Sequence, residues 1–158
     1  MDKKDLQIIS LLQQDASISL AELAEAVNLS ATPCWRRLQK LREDGVIQKQ
    51  VVLCDAERLR LGVTVFVSVR TSRHSDDWTR QFIEGTRDIP EIVEIYRMTG
   101  DIDYLLKIVV PDIKAYDAVY KRLIRVADLS DVSAGFAMEV IKHTTALPLE
   151  HLQKPNEH

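Results

Sequence analysis

Five basic side chains, Arg36, Arg37, Lys40, Arg42 and Lys49, fall within residues 30–50 against two acids, Glu43 and Asp44. That window holds a local charge of +3 in a chain of 158 residues whose net charge is −3. Arginine can grip a guanine edge through two parallel hydrogen bonds, glutamine can pair with adenine, and lysine and threonine can hold phosphates. Thr32, Trp35, Arg36, Gln39 and Lys40 fall on or beside one side of a helix whose other side holds Cys34, Leu38 and Leu41 at i, i+4, i+7. Arg37 lies nearer the apolar flank, which suits a phosphate or structural contact better than base reading. The chemistry on offer is that of a helix reading duplex DNA. A solvated helix face would hold the same charges, so charge alone leaves both readings open.

A second constellation is Thr99-Gly100-Asp101-Ile102-Asp103. A free amino acid needs N–H donors for its carboxylate and acceptors for its ammonium group. A turn with amides outside a ladder and two acids can supply both. A plain hairpin turn, with Asp serving turn chemistry, accounts for the same residues.

The elements that must position these groups can be read from spacing. Asp2 can cap a first helix carrying Ile8, Leu11 and Leu12, which ends at Gln13-Gln14-Asp15. Ser19-Leu-Ala-Glu22 is a capping box that opens a second helix with Leu20, Leu23, Ala24 and Val27 as its apolar stripe. Asn28 suits its end, Ser30 or Thr32 can cap a third helix, and Pro33 is tolerated in its first turn. Two short helices separated by about four residues have helix-turn-helix spacing, in which the second helix enters the major groove. After Gly45 comes an extended stretch with Lys49 at its basic centre, either a wing against the sugar–phosphate backbone or a connecting strand that packs Cys54. The charged run Asp55–Leu61 is the best candidate for a linker.

The second half alternates strand and helix. Val63, Val65, Val67 and Val69 have period two. A helix marked by Trp78, Phe82 and Ile89 follows, then strands at Ile92–Met98 and Tyr104–Val110. A second helix carries Ile113, Tyr116, Tyr120, Leu123 and Ala127, and a strand at Val132–His143 ends the series. The order βαββαβ predicts a ferredoxin-like sandwich. Two helices cover one face of its sheet, so the other, with Phe66 and Met98, predicts self-association. The expected fold is α+β. Its parts are a winged helix-turn-helix over residues 1–54, a linker over 55–62, a ferredoxin-like ligand-sensing and oligomerisation domain over 63–150, and a tail over 151–158.

Other classes find little support. The longest uncharged stretch is ten residues, Ala26–Trp35, too short to span a bilayer. No secretory leader pattern opens the chain, and a cytoplasmic location is expected. Two cysteines do not make a disulfide scaffold or a cysteine-only zinc site. The four histidines, His74, His143, His151 and His158, are dispersed. No phosphate loop, H-E-x-x-H or nucleophile elbow is present, so no catalytic residue, metal or cofactor is assigned.

Residues 2–150 resemble the Lrp/AsnC family of bacterial and archaeal transcriptional regulators. The resemblance lies in Asp2-x-x-Asp5, Ala21–Ser30, Thr32-Pro-Cys-Trp-Arg-Arg-Leu38, Leu41-Arg-Glu-Asp-Gly-Val-Ile47, Gly100-Asp-Ile-Asp-Tyr-Leu-Leu106 and Val110-Pro-Asp112, in that order. It implies a sequence-specific regulator of double-stranded DNA, built as homodimers that assemble to octamers and tuned by an amino-acid effector. It makes Thr99, Gly100, Asp101, Asp103 and Tyr104 candidates for an effector pocket between dimers. The segment from Phe136 to Pro148 also resembles a branch containing cysteine-responsive regulators. The chain departs from the family at Trp35, where many relatives carry a smaller residue, and at Val126–Ser130, where many have a Pro-Gly turn. Two other functions share this plan. One is an enzyme of the sirohaem decarboxylase type, against which the basic third helix argues. The other is a DNA-architectural protein without an effector.

Overall fold

Asp2 opens the first helix, α1 (Lys3–Gln14), by accepting hydrogen bonds from the Lys4 and Asp5 amides, while the Asp5 carboxylate accepts from the Asp2 amide. Ser19 and Glu22 form the same reciprocal cap for α2 (Leu20–Ala26). Asn28 takes a left-handed backbone (φ +52°) and turns the chain toward α3 (Ala31–Glu43). Ser30 holds the N-cap position of α3, but its hydroxyl caps no amide. Gly45, at φ +72°, follows α3. Ile8, Ile9, Leu23, Ala24, Val27, Cys34 and Leu41 form one buried cluster, with Leu38 and Ile47 packed against it. Ala24 has the small side chain that permits close packing at that seam.

The computed structural model describes residues 1–73 and 75–152. The chain divides into two units, residues 1–52 with the chain from Lys142 onward, and Leu53–Ile141. His74, His158 and residues 153–158 of the expected tail lie outside the described residues.

In the second unit β1 (Val63–Arg70), α4 (Asp76–Arg87), β2 (Ile92–Arg97), β3 (Tyr104–Val110), α5 (Ile113–Val126) and β4 (Asp131–Phe136) follow the expected βαββαβ order. The sheet is antiparallel in the order β2-β3-β1-β4. Val65, Val67 and Val69 of β1 and Tyr104, Leu106, Ile108 and Val110 of β3 are buried in the cluster that holds Trp78, Phe82, Val119 and Leu123. The Trp78 and Phe82 rings stack at 5.1 Å. The alternate residues of β1, including Phe66 at 42% exposure, lie on the face away from that core. Lys107 and Glu94 share that face as an ion pair at 3.0 Å.

Three local expectations are corrected. The last strand ends at Phe136 and not at His143. Its partner β1 begins at Val63, so the ladder runs out after Ala137 donates to Thr64. Residues 46–54 form no paired strand among the described residues, because no strand of the same chain lies beside them. Cys54 is therefore exposed rather than packed.

Gly85 of α4 packs closely against Val126 of α5. A Cβ there would lie 2.4 Å from Val126 Cγ1 and 3.2 Å from Val126 Cβ. The stiff β-branched valine cannot swing clear. Gly85→Ala should therefore lower stability by about 1–2 kcal/mol, overpacking outweighing the helix-propensity gain. Thermal unfolding should show the loss in the single variant and a clearly smaller one in the Val126→Ala background, where only the Cβ contact remains. An equal loss in both backgrounds would contradict the packing account.

Candidate nucleic-acid interface and ligand turn

Burial of Cys34 and Leu41 sets the rotation of α3. Thr32, Trp35, Arg36 and Lys40 are consequently exposed, and Gln39 is half-buried. Trp35 presents half of its surface to solvent. With its amide oriented to satisfy both neighbours, the Gln39 oxygen accepts from Trp35 Nε1 and Arg42 Nη1, each at 3.3 Å. Lys40 pairs with Asp44 at 3.1 Å across one helical turn, an exposed pair that water screens. Arg36 makes no ion pair among the described residues. The helix thus offers one uncommitted guanidinium, an indole, an amide and a lysine. Lys49 is exposed on the extended segment after α3.

Arg37 is committed elsewhere. Its Nη1 donates to Asp2 Oδ2 at 2.6 Å and to Asp5 Oδ1 at 2.8 Å. The guanidinium therefore latches α3 to the N-terminal cap of α1. Lys4 adds a second tie, donating from Nζ to the Val27 carbonyl at the C-cap of α2. A cation there also complements the negative end of the helix dipole. Spacing showed Asp2 as a cap, but not that one arginine binds both Asp2 and Asp5 from 35 and 32 residues away. The Lys4 contact had no local signal at all.

The second constellation is split by the fold. Gly100 takes φ +105° in the turn, and the Met98 amide donates to the Asp103 carbonyl. Thr99, Gly100 and Asp101 are exposed. Their amides donate to no backbone carbonyl among the described residues. Asp103 is built into the fold: its Oδ2 accepts from the Thr71 amide at 2.8 Å and its own amide donates to Val69. Tyr104 is 5% exposed, with ring centroids 4.7 Å from Phe82 and 5.9 Å from Trp78. It has the same strand parity as Leu106 and Ile108, which already points it inward. Beside the turn lies a cavity of about 80 Å³ lined by residues that include Thr71, Arg97, Met98, Asp103 and Tyr104. That is room for a few waters, well below the ~300 Å³ at which ligand pockets begin. An open cleft of about 490 Å³ adjoins it between α4 and the edge strand β2.

Two family models match the chain. A winged helix-turn-helix DNA-binding model covers residues 1–48, and the Lrp/AsnC ligand binding domain covers residues 64–147. The chain belongs to the Lrp/AsnC family. It is a DNA-binding transcriptional regulator of that family, with an N-terminal reading head and a ferredoxin-like ligand-binding domain. It is 48% identical to the DNA-binding transcriptional activator DecR of Escherichia coli over 151 residues, covering 95% of this chain and 99% of the relative. It is 49% identical over 149 residues to the glutamate uptake regulatory protein of Zymomonas mobilis, covering 94% of this chain and 91% of that protein. Among solved structures, an AsnC family regulator from Agrobacterium tumefaciens superposes with a TM-score of 0.93 at 54% identity, covering 96% of this chain and 99% of the other. A regulator from Neisseria meningitidis in complex with L-Met gives 0.91 at 35% identity over the same shares.

The latch predicts an acid response. Hydrogen bonds from the Asp5 amide and from the Arg37 guanidinium hold the Asp2 carboxyl below the ordinary range. A carboxyl with a folded pKa below its unfolded one stabilises the fold above the unfolded value, and that contribution is lost as pH falls through the folded value. Asp2→Asn keeps a capping oxygen and removes the charge. Melting temperatures should separate wild type from Asp2→Asn at pH 7, and the gap should close as pH drops below about 4. A gap independent of pH would remove the charge from the account.

Proposed function

We propose that α3 lies in the major groove, with Trp35, Arg36 and Gln39 facing base edges and Thr32, Lys40 and Lys49 held against phosphates. The observation carrying this reading is the sidedness of α3, whose apolar seam is buried while the uncommitted Arg36 and the half-exposed Trp35 face solvent. Arg37 then acts by holding α3 on α1 rather than by reading sequence.

The ligand is a small amino acid that modulates DNA binding or assembly. Its supports are the match to the Lrp/AsnC ligand binding domain and the L-Met complex of the Neisseria relative. Thr99, Gly100 and Asp101 supply exposed amides and an acid, with Asp103 and Tyr104 shaping the turn from beneath. The small cavity at this turn in one chain argues that a second copy completes the pocket. The open sheet face with Phe66 and Tyr96, each more than 40% exposed, supports a homodimer formed through the sheets and further assembly to an octamer.

Arg36→Ala should weaken specific binding by about 1–3 kcal/mol if the side chain grips a guanine. Lys40→Ala should weaken binding to every sequence alike and lower the salt slope by about one counterion. Gel-shift titrations of genomic fragments across a salt series read both, and unchanged curves for the two variants would overturn the α3 assignment.

A thermal-shift screen of the twenty amino acids tests the sensor. A ligand at 100 times its Kd should add about 2.7 kcal/mol to stability. Asp101→Ala should lose that shift while keeping basal DNA binding. If no amino acid raises the melting temperature, the amino-acid reading fails. If Asp101→Ala responds like wild type, the turn is not the pocket.

A further inference from the structure

The chain crosses between its two units twice. It leaves the DNA-binding unit at Val52–Leu53 and returns to it at Ile141–Lys142. On its return it is received by α1. Gln13, in the last turn of α1, accepts from the Leu147 amide at 2.7 Å and donates to the Leu147 carbonyl at 3.2 Å. A glutamine side chain ends in a planar amide with a donor and an acceptor. Here it pairs with one backbone residue as a strand would in a ladder. Two residues later Leu149 packs against the cluster formed by Ile8, Ile9, Leu23, Ala24, Val27, Cys34 and Leu41. The chain then makes a 3-10 turn, Glu150–Leu152, closed by the Leu152 amide on the Leu149 carbonyl at 3.0 Å. The helix-turn-helix pattern does not require Gln13, Leu147 or Leu149.

We propose that residues 142–152 are a clip, and that the end of α1 is its receptor. The clip gives the DNA-binding unit a second anchor to the sheet unit. A body attached by one linker can swivel, and its freedom must be lost when two copies of it engage DNA together. A second anchor removes much of that freedom before binding. The clip also follows β4 directly: five residues, Ala137–Ile141, separate Phe136 from Lys142.

The clip is tested on the full-length protein by hydrogen–deuterium exchange and by DNA affinity. In wild type the Leu147 amide should exchange at least about tenfold more slowly than an unstructured amide. Gln13→Ala should abolish that protection and leave the β1 and β3 amides unchanged. Gln13→Glu keeps the acceptor and loses the donor, so it should give intermediate protection. An unprotected Leu147 amide in wild type, or full protection in Gln13→Ala, overturns the clip. The DNA arm rests on the proposed function. On a fragment that engages two copies of α3, Gln13→Ala should bind about threefold to tenfold more weakly. On the same fragment cut to one site, it should match wild type. Equal weakening on both, or none on the two-site fragment, overturns the anchoring role. If wild type retains no fragment at all, the DNA reading falls by itself, and the exchange arm still decides the clip.

Discussion

The seam between α3 and the two helices behind it constrains everything this protein can offer to a duplex. Cys34 and Leu41 are fully buried there, and Leu38 is packed beside them. Successive residues on a helix are separated by about 100°. A slip of one position along that seam would therefore turn Trp35 and Arg42 toward the core in one direction, or Arg36 and Lys40 in the other. The polar ties act on the same rotation. Arg37, at the edge of the seam, is held by Asp2 and Asp5, and Lys4 is held by the end of α2. Arg37 is thus spent on placing α3 and Lys4 on joining α1 to α2, which leaves Arg36 as a guanidinium without an ion pair among the described residues on the outer side of α3. The acidic total of the chain does not oppose this arrangement, because screening limits distant charges while the local ones stand at the contact.

The sheet unit follows from a different constraint. Two helices have enough apolar surface to cover one face of four strands, and the inward residues of β1 and β3 are buried by them almost completely. The outward face keeps an ion pair, Lys107 with Glu94, among Phe66, Tyr96 and Leu105. Such a mixture tolerates water and still suits burial against a second copy, which links assembly to ligand binding if the turn after β2 is completed by that copy. The length of β1 has a further consequence. Because it begins at Val63, β4 loses its partner after Phe136, and the chain beyond is free to return to α1.

Much of this was legible in local pattern. The Asp2 cap, the Ser19–Glu22 capping box, the Asn28 turn, the α3 seam, the βαββαβ order and the limits of β3 were each visible in spacing, because caps, turns and amphipathic periods are determined by residues a few positions apart. The identity of the outward residues of α3 follows from the same short-range rule. Less legible was where local pattern stops. The apolar residues Val51–Leu53 and Met138, Val140 and Ile141 have strand composition, yet a strand exists only where a neighbour supplies the other half of its hydrogen bonds.

By itself, then, the order of residues determined which segments are helices and strands, which side of each faces a core, and that a cationic helix is displayed. Tertiary structure alone decided which polar groups remain available. Arg37 and Asp103 look like ligand-binding residues in one dimension and are structural ties in three, while Gln13 looks like the fraying end of a helix and receives the end of the chain. The physical reason is that a hydrogen bond or ion pair needs two groups within about 3 Å, and the partners here lie from 32 to 134 residues apart. No period in the sequence encodes a meeting over that distance.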